Sequence, residues 1–149
     1  MIDSSFEQTL KSVGVIVSDF KGTSMNPLLN SLRDKVVIET PKSRLNRGDV
    51  ALYKRVSGTY VLHRVYKVMP SSYVFWGDNQ TVLEYGVEDS MILGVMAGYY
   101  KGEKYIDVKK SFRYKLYKAF WCKWVWLRKV LRLPKRVLSK IKRLFSKKS

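Results

Sequence analysis

Cysteine and histidine each occur only once among the 149 residues, as Cys122 and His63. A single cysteine cannot form a disulfide within the chain, and it excludes a metal site built from several cysteines. One residue of each kind also argues against a structural zinc ion, whose four ligands come mostly from these two residue types. We therefore expect no metal and no cofactor.

Acidic residues are missing from the end of the chain. Residues 109–149 hold 16 Lys and Arg and no Asp or Glu, whereas residues 1–108 hold 13 basic and 12 acidic residues. Nearly all of the net charge of +17 therefore lies in the last part. We predict a nearly neutral domain over residues 1–108 and a basic tail over residues 109–149, whose charge favours an anionic partner.

The N-terminus lacks a long apolar run. Residues 1–12 include two acidic residues and no apolar segment of the length that a signal peptide needs, so we expect neither a signal peptide nor a membrane anchor there. A short helix to about Ser12, capped by Ser4 or Ser5, fits this segment, with Phe6 and Leu10 on one of its faces.

Short segments of alternating apolar and polar residues dominate the first 108 residues, and these predict strands. Ser57-Gly58-Thr59 has the length and chemistry of a hairpin turn. Residues 77–90 are predicted to form a loop. The predicted fold is mainly β, a compact antiparallel core, with strands over residues 14–20, 35–39, 49–56, 60–68, 73–76, 91–100 and 104–108.

From Phe112 onward the apolar residues recur at three and four positions, which predicts an amphipathic helix in the basic tail. Pro134 ends this helix and can begin a second one. Residues 112–133 are long enough to cross a bilayer, but three cations near the middle oppose that. We expect the tail to lie on an anionic membrane surface instead, and packing against the β core is the alternative. The stripe consists of Leu116, Phe120, Trp124, Leu127 and Leu131.

A serine lies on a predicted turn directly after the first strand. The segment Gly22-Thr-Ser-Met-Asn-Pro27 begins with a residue that is free in φ and ends with one that stops regular structure. A serine held on a stiff, exposed turn is suited to nucleophilic attack, provided that a neighbouring group takes its proton. A serine in a turn also needs no catalytic role, so Ser24 remains a candidate at this point.

The histidine and an aspartate are two further candidates. His63 lies on an alternating strand, where it is either a general base or a histidine that is hydrogen-bonded in the core or on the surface. Asp78 lies in the segment Gly77-Asp78-Asn79, which is either part of a catalytic site or an Asx-type turn.

Taken in order, these segments resemble blocks of the type I signal peptidases, over about residues 12–100. The histidine makes the chain similar to their archaeal and endoplasmic-reticulum branch. Members of the family outside this branch carry lysine at the same position. The usual membrane span before the serine is not found in this sequence. The resemblance rests on Ser24-Met-Asn-Pro27, Arg47-Gly-Asp-Val50, His63-Arg-Val65, Gly77-Asp-Asn79 and Ile92-Leu-Gly-Val95.

The resemblance implies a serine endopeptidase that removes a leader or signal segment from a peptide or preprotein. Ser24 is then the nucleophile and His63 the general base. It also implies that the backbone N–H of Ser24 donates to the oxyanion, since Gly22 stands where many bacterial members have a serine hydroxyl. The substrate is expected to bind in an extended form along a strand.

The resemblance also implies an acid that orients His63. The family's usual aspartate, six residues beyond the aspartate of the Gly-Asp-Asn block, corresponds here to Glu84. Asp78, Glu88 and Asp89 remain alternatives for this role.

A second hypothesis makes the domain an inactive relative whose basic tail binds an anionic membrane or nucleic acid. The tryptophans of the tail favour the membrane. We expect peripheral membrane association, on the cytoplasmic face.

Overall fold

The computed structural model describes residues 4–123, which form a mainly antiparallel β fold, as predicted. Two α-helices flank the strands, α1 (Ser4–Val13) and α2 (Phe112–Lys123), and a 3-10 helix spans Asp89–Met91. The strands are β1 (Val15–Ser18), β2 (Asp34–Glu39), β3 (Val50–Lys54), β4 (Tyr60–Val68), β5 (Ser72–Trp76), β6 (Glu84–Glu88), β7 (Ile92–Lys101) and β8 (Lys104–Asp107).

The strands form one sheet in the order β1-β2-β7-β3-β4-β5-β6, and β8 pairs with β7. Because successive side chains of a strand point to opposite faces, the sheet buries two separate apolar clusters. The first cluster includes Phe6 and Leu10 of α1, whose predicted apolar face is confirmed. The second cluster surrounds Tyr53, Tyr73 and Phe75 on the other side.

The hairpin of β3 and β4 places the histidine. Strand β4 has the predicted bounds, and Gly58 in the turn before it has a positive φ of 82°. Ala51 pairs with His63 in this hairpin, and Tyr53 pairs with Val61. Since side chains alternate, Tyr53 and His63 lie on one face of the sheet and Arg64 on the other.

The predicted loop over residues 77–90 is wrong in its second half. Residues 84–88 form β6, which pairs with β5, and the 3-10 helix follows it. Only Val87 of this strand is buried, and Gly86 has a positive φ of 76°. An edge strand with one buried side chain and a glycine lacks the alternating pattern that predicts strands.

Helix α2 begins at Phe112, as predicted, and the two described residues of its apolar stripe do not face the sheet. Tyr114 is 4% exposed, whereas Leu116 is 60% and Phe120 41% exposed. The alternative of packing against the β core therefore holds for the inner face of α2. The remaining stripe residues, from Trp124 onward, and the predicted helix after Pro134 lie outside the described residues.

Within residues 4–123, none of the helices is long and apolar enough to cross a membrane.

Candidate functional site

The serine turn is held rigidly by the residues that follow it. Gly22 has a φ of 91°, which allows the chain to bend after β1. Met25 and Leu29 are almost fully buried in the first apolar cluster, whereas Ser24 is half-buried. The N–H of Leu29 donates to the carbonyl of Met25 over 3.0 Å. Ser24 is therefore presented at the surface of a turn whose next residues are fixed in the core.

A second segment, residues 77–80, packs against the backbone of this turn. The N–H of Asn79 donates to the carbonyl oxygen of Ser24 over 2.6 Å. A Cβ atom on Gly77 would lie 2.9 Å from the same oxygen, so the close approach requires glycine. The indole of Trp76 donates to the carbonyl of Gln80 over 2.8 Å and closes the segment. We call residues 77–80 the Gly77 loop.

The turn and β4 meet in a cleft of about 200 Å³. Ser24 and His63 both line it, so the fold brings together two residues that are 39 positions apart in the sequence. No hydrogen bond joins Ser24 and His63 in the described part of the chain. In enzymes without bound substrate, the hydrogen bonds between catalytic residues are often long, and they shorten when substrate binds. The other lining residues are Phe20, Lys21, Met25, Arg55, Tyr60, Val61, Leu62 and Gln80.

A chain of hydrogen bonds connects His63 to an acid through Tyr53. The hydroxyl of Tyr53 donates to Oε2 of Glu84 over 2.7 Å and lies 3.2 Å from Nδ1 of His63. Because the hydroxyl of Tyr53 donates its hydrogen bond to Glu84, its oxygen is free to accept a hydrogen bond from Nδ1–H of His63. This arrangement selects the tautomer with hydrogen on Nδ1 and leaves Nε2 as a proton acceptor. Glu84 itself is 3.8 Å from Nδ1.

Arg55 fixes the acid of this chain in place. Its Nε and Nη2 donate to the two oxygens of Glu84, each over 2.6 Å. These bonds keep the pKa of Glu84 below its ordinary value. Burial raises the pKa of Tyr53, and the hydrogen bond to Glu84 adds to this, so the phenol keeps its proton.

Burial also decides the protonation state of the histidine. His63 is 3% exposed, and burial lowers its pKa from 6.5 to about 4; the charge of Glu84 partly opposes this, and that of Arg55 adds to it. The imidazole is therefore neutral at pH 7, which is the form that can accept a proton.

The other acids named from the sequence have different partners. Asp78 is fully buried and accepts from Nε and Nη2 of Arg64, over 2.8 and 2.7 Å. Asp89 accepts from the hydroxyl of Tyr73 and forms an ion pair with Arg44. Glu88 is exposed on β6. Of these four acids, the structure links only Glu84 to His63 by hydrogen bonds through one intervening side chain.

Sequence reasoning missed Tyr53 and Arg55. Tyr53 could have been found from the hairpin, because the turn at residues 57–59 fixes which β3 residues lie opposite β4. A tyrosine that shares the face of the histidine across this hairpin is within reach of its imidazole. Arg55 follows β3 directly and had no separate signal.

No three His, Cys, Asp or Glu side chains in the part of the chain that the structure describes are grouped to hold a metal ion. No protein-family model matches the chain, and no curated protein matches it either. The fold and the site define a mainly antiparallel β protein with a serine and a buried, neutral histidine in one cleft. The interpretation of its function rests on this geometry.

Proposed function

We propose that this protein is a serine endopeptidase, similar in fold and chemistry to the type I signal peptidases, that removes a leader or signal segment from a peptide or preprotein. The observation that carries the proposal is the hydrogen-bonded chain from Glu84 through Tyr53 to His63, which ends in the cleft that Ser24 lines. A neutral imidazole oriented by an acid, beside a serine on a rigid turn, is the arrangement that activates a hydroxyl.

In the proposed mechanism, Nε2 of His63 takes the proton of Ser24 as its Oγ attacks the peptide carbonyl. The imidazolium that forms is stabilised by Tyr53 and by the negative charge of Glu84, and it then gives the proton to the leaving amine. Water attacks the acyl-enzyme in the second half of the reaction, with His63 again as the base. The N–H of Ser24 donates to the oxyanion.

The size of the cleft supports a peptide substrate. About 200 Å³ is below the roughly 300–1,000 Å³ of pockets that enclose small-molecule ligands. It can hold one or two small side chains, while the rest of a peptide lies along the surface in an extended form. The proposal is tested by incubating the protein with a library of unstructured peptides and mapping the cleaved bonds by mass spectrometry. Absence of any cleavage would reject it.

The pH dependence of cleavage should reflect the buried histidine. From the sequence alone, the ordinary pKa of histidine predicts that activity is lost below roughly pH 6.5, where His63 would become protonated. Because burial lowers the pKa of His63 to about 4, we expect kcat/KM to persist through pH 5 and to fall only as the pH approaches 4. The 15N chemical shifts of His63 at pH 7 should also show hydrogen on Nδ1.

Folding must be followed in the same pH range. A histidine whose pKa is lowered in the folded state stabilises that state above pH 6.5, and this contribution is lost as the pH falls towards 4. Circular dichroism at each pH separates loss of the base from unfolding. A fall in kcat/KM near pH 6.5 in fully folded protein would show that His63 is solvated in the active form.

We also propose that the partner of the tail is an anionic membrane surface. The observation that favours it is the outer face of α2, where Phe112, Leu116 and Phe120 are 74%, 60% and 41% exposed at intervals of four residues. Arg113 and Lys115 are exposed beside them. An apolar stripe flanked by cations fits the headgroup region of an anionic leaflet.

The membrane proposal predicts salt-sensitive flotation with anionic vesicles. The full chain should float with vesicles of phosphatidylcholine and phosphatidylserine at low salt, and 1 M salt should release most of it, since the charges are then screened. Replacement of Phe112, Leu116 and Phe120 by serine should reduce the bound fraction about tenfold or more, because apolar burial in the leaflet is lost.

The matched control carries serine at three exposed apolar positions outside the helix, Leu32, Val56 and Val82, which are 95%, 98% and 74% exposed. This control should float like the wild type. Equal loss in both triple variants, or wild-type binding that ignores salt, contradicts a surface-bound α2. Stronger binding to single-stranded oligonucleotides than to vesicles would favour nucleic acid as the partner.

A further inference from the structure

The inner face of α2 contacts the Gly77 loop through two aromatic side chains. The hydroxyl of Tyr117 donates to Oδ2 of Asp78 over 3.0 Å, and the indole of Trp121 donates to the carbonyl oxygen of the same residue over 3.2 Å. The two rings stack on each other with their centroids 5.2 Å apart. Both the side chain and the backbone of Asp78 are therefore held by the helix.

The next residue of this loop holds the serine turn. Asn79 donates its N–H to the carbonyl of Ser24, and Gly77 approaches the same oxygen closely. Gln80 lines the cleft beside Ser24 and His63. A continuous set of hydrogen bonds thus runs from α2, through the Gly77 loop, to the backbone of the candidate nucleophile.

We propose that Tyr117 and Trp121 are positioning residues for Ser24. They fix the position of the Gly77 loop, and the loop fixes the position of the Ser24 backbone at the cleft. The inference rests on the proposed peptidase function and adds that part of the basic tail belongs to the catalytic unit. A misplacement of the nucleophile by about 1 Å costs reaction rate much more than substrate affinity, because the loss occurs in the attack.

The test uses Tyr117→Phe, Trp121→Phe and the double variant in the full-length protein. Tyr117→Phe keeps the ring that stacks on Trp121 and lies 5.6 Å from the guanidinium of Arg64, and it removes the hydroxyl that donates to Asp78. Tyr105→Phe is the control, because Tyr105 is 44% exposed on β8 and also loses one hydroxyl.

We expect the double variant to lower kcat about tenfold or more with KM within about twofold, and Tyr105→Phe to leave both unchanged. The amide of Asn79, followed by hydrogen exchange in NMR spectra, should exchange about tenfold faster in the double variant. Amides in the centre of β7 should keep their wild-type rates, because the sheet is not affected.

Two results of the exchange experiment would overturn the inference: an unchanged exchange rate at Asn79, or equal acceleration of Asn79 and of the β7 amides, which indicates general destabilisation. A kcat within twofold of wild type in the double variant would equally reject a positioning role. If the wild type cleaves no peptide, the peptidase proposal fails and so does the catalytic role, whereas faster exchange at Asn79 alone would still show that α2 holds the loop.

Discussion

Replacement of Ser24 or His63 by alanine is expected to lower kcat/KM for peptide cleavage by about 10⁴-fold or more, without unfolding the protein. The reason is that each residue is useful only with the other: an alkoxide cannot form without a base, and the base has no other proton to take. The double variant should be little worse than either single one, since members of such a unit are strongly non-additive. Cleavage rates are measured by mass spectrometry on the peptides found in the library.

Two controls make this result specific. Thr23→Ala removes a hydroxyl from the exposed neighbour of Ser24 and should keep wild-type activity. His63→Asn replaces the imidazole by an amide, which is also a hydrogen-bond donor, and it leaves a smaller cavity than His63→Ala. Full activity in both His63 variants would show that another group is the base. Lys21, the lysine that lines the cleft, would then be replaced by methionine next.

The sequence was sufficient to predict the strand of the histidine and the turn of the serine. Both predictions depended on local features: period-two alternation over residues 60–68, and a glycine followed by a proline around Ser24. Predictions of this kind agree with the structure because the local sequence itself favours the backbone conformation that is observed. That the two residues line one cleft depends on the sheet order, which no local pattern determines.

The acid of the site shows where local patterns fail. Glu84 was named only through the resemblance, because the segment around it was predicted to be a loop. In the structure β6 pairs with β5, so that Glu84 lies opposite Phe75, whose ring packs on Tyr53 at 4.6 Å. An edge strand is stabilised by its neighbour more than by its own residues. Its position therefore could not be predicted from its sequence.

Helix α2 shows a different limit. Its start at Phe112 was correctly predicted, and its apolar stripe with Leu116 and Phe120 was expected to lie on a membrane surface, but nothing in the pattern identified the face that packs against the domain. The side that packs against the Gly77 loop carries hydroxyl and indole groups, because Tyr117 and Trp121 can donate to Asp78 while their rings cover apolar surface. A pattern of apolar residues in the helix does not indicate that a buried carboxylate of another segment accepts hydrogen bonds from it.

Asp78→Asn is expected to lower the free energy of unfolding by about 3–5 kcal/mol, the range seen when one partner of a buried ion pair is removed. Arg64 is 2% exposed, and its guanidinium donates to both oxygens of Asp78 and to the carbonyl of Gly48 over 2.8 Å. Asparagine keeps the shape but removes the negative charge that the buried guanidinium of Arg64 contacts through two hydrogen bonds. Urea denaturation followed by circular dichroism measures the loss.

Asp49→Asn is the matched control, since Asp49 also forms an ion pair, with Lys118 of α2. Its ion pair with Lys118 is 2.9 Å long, but both side chains are partly exposed, at 25% and 32%. Water screens such a pair, so its loss should cost no more than about 1 kcal/mol. Equal losses in the two variants would contradict a central role for the Arg64–Asp78 pair. A loss confined to Asp78→Asn would show that the pair joining β4, the Gly77 loop and α2 stabilises the fold on which the cleft is built.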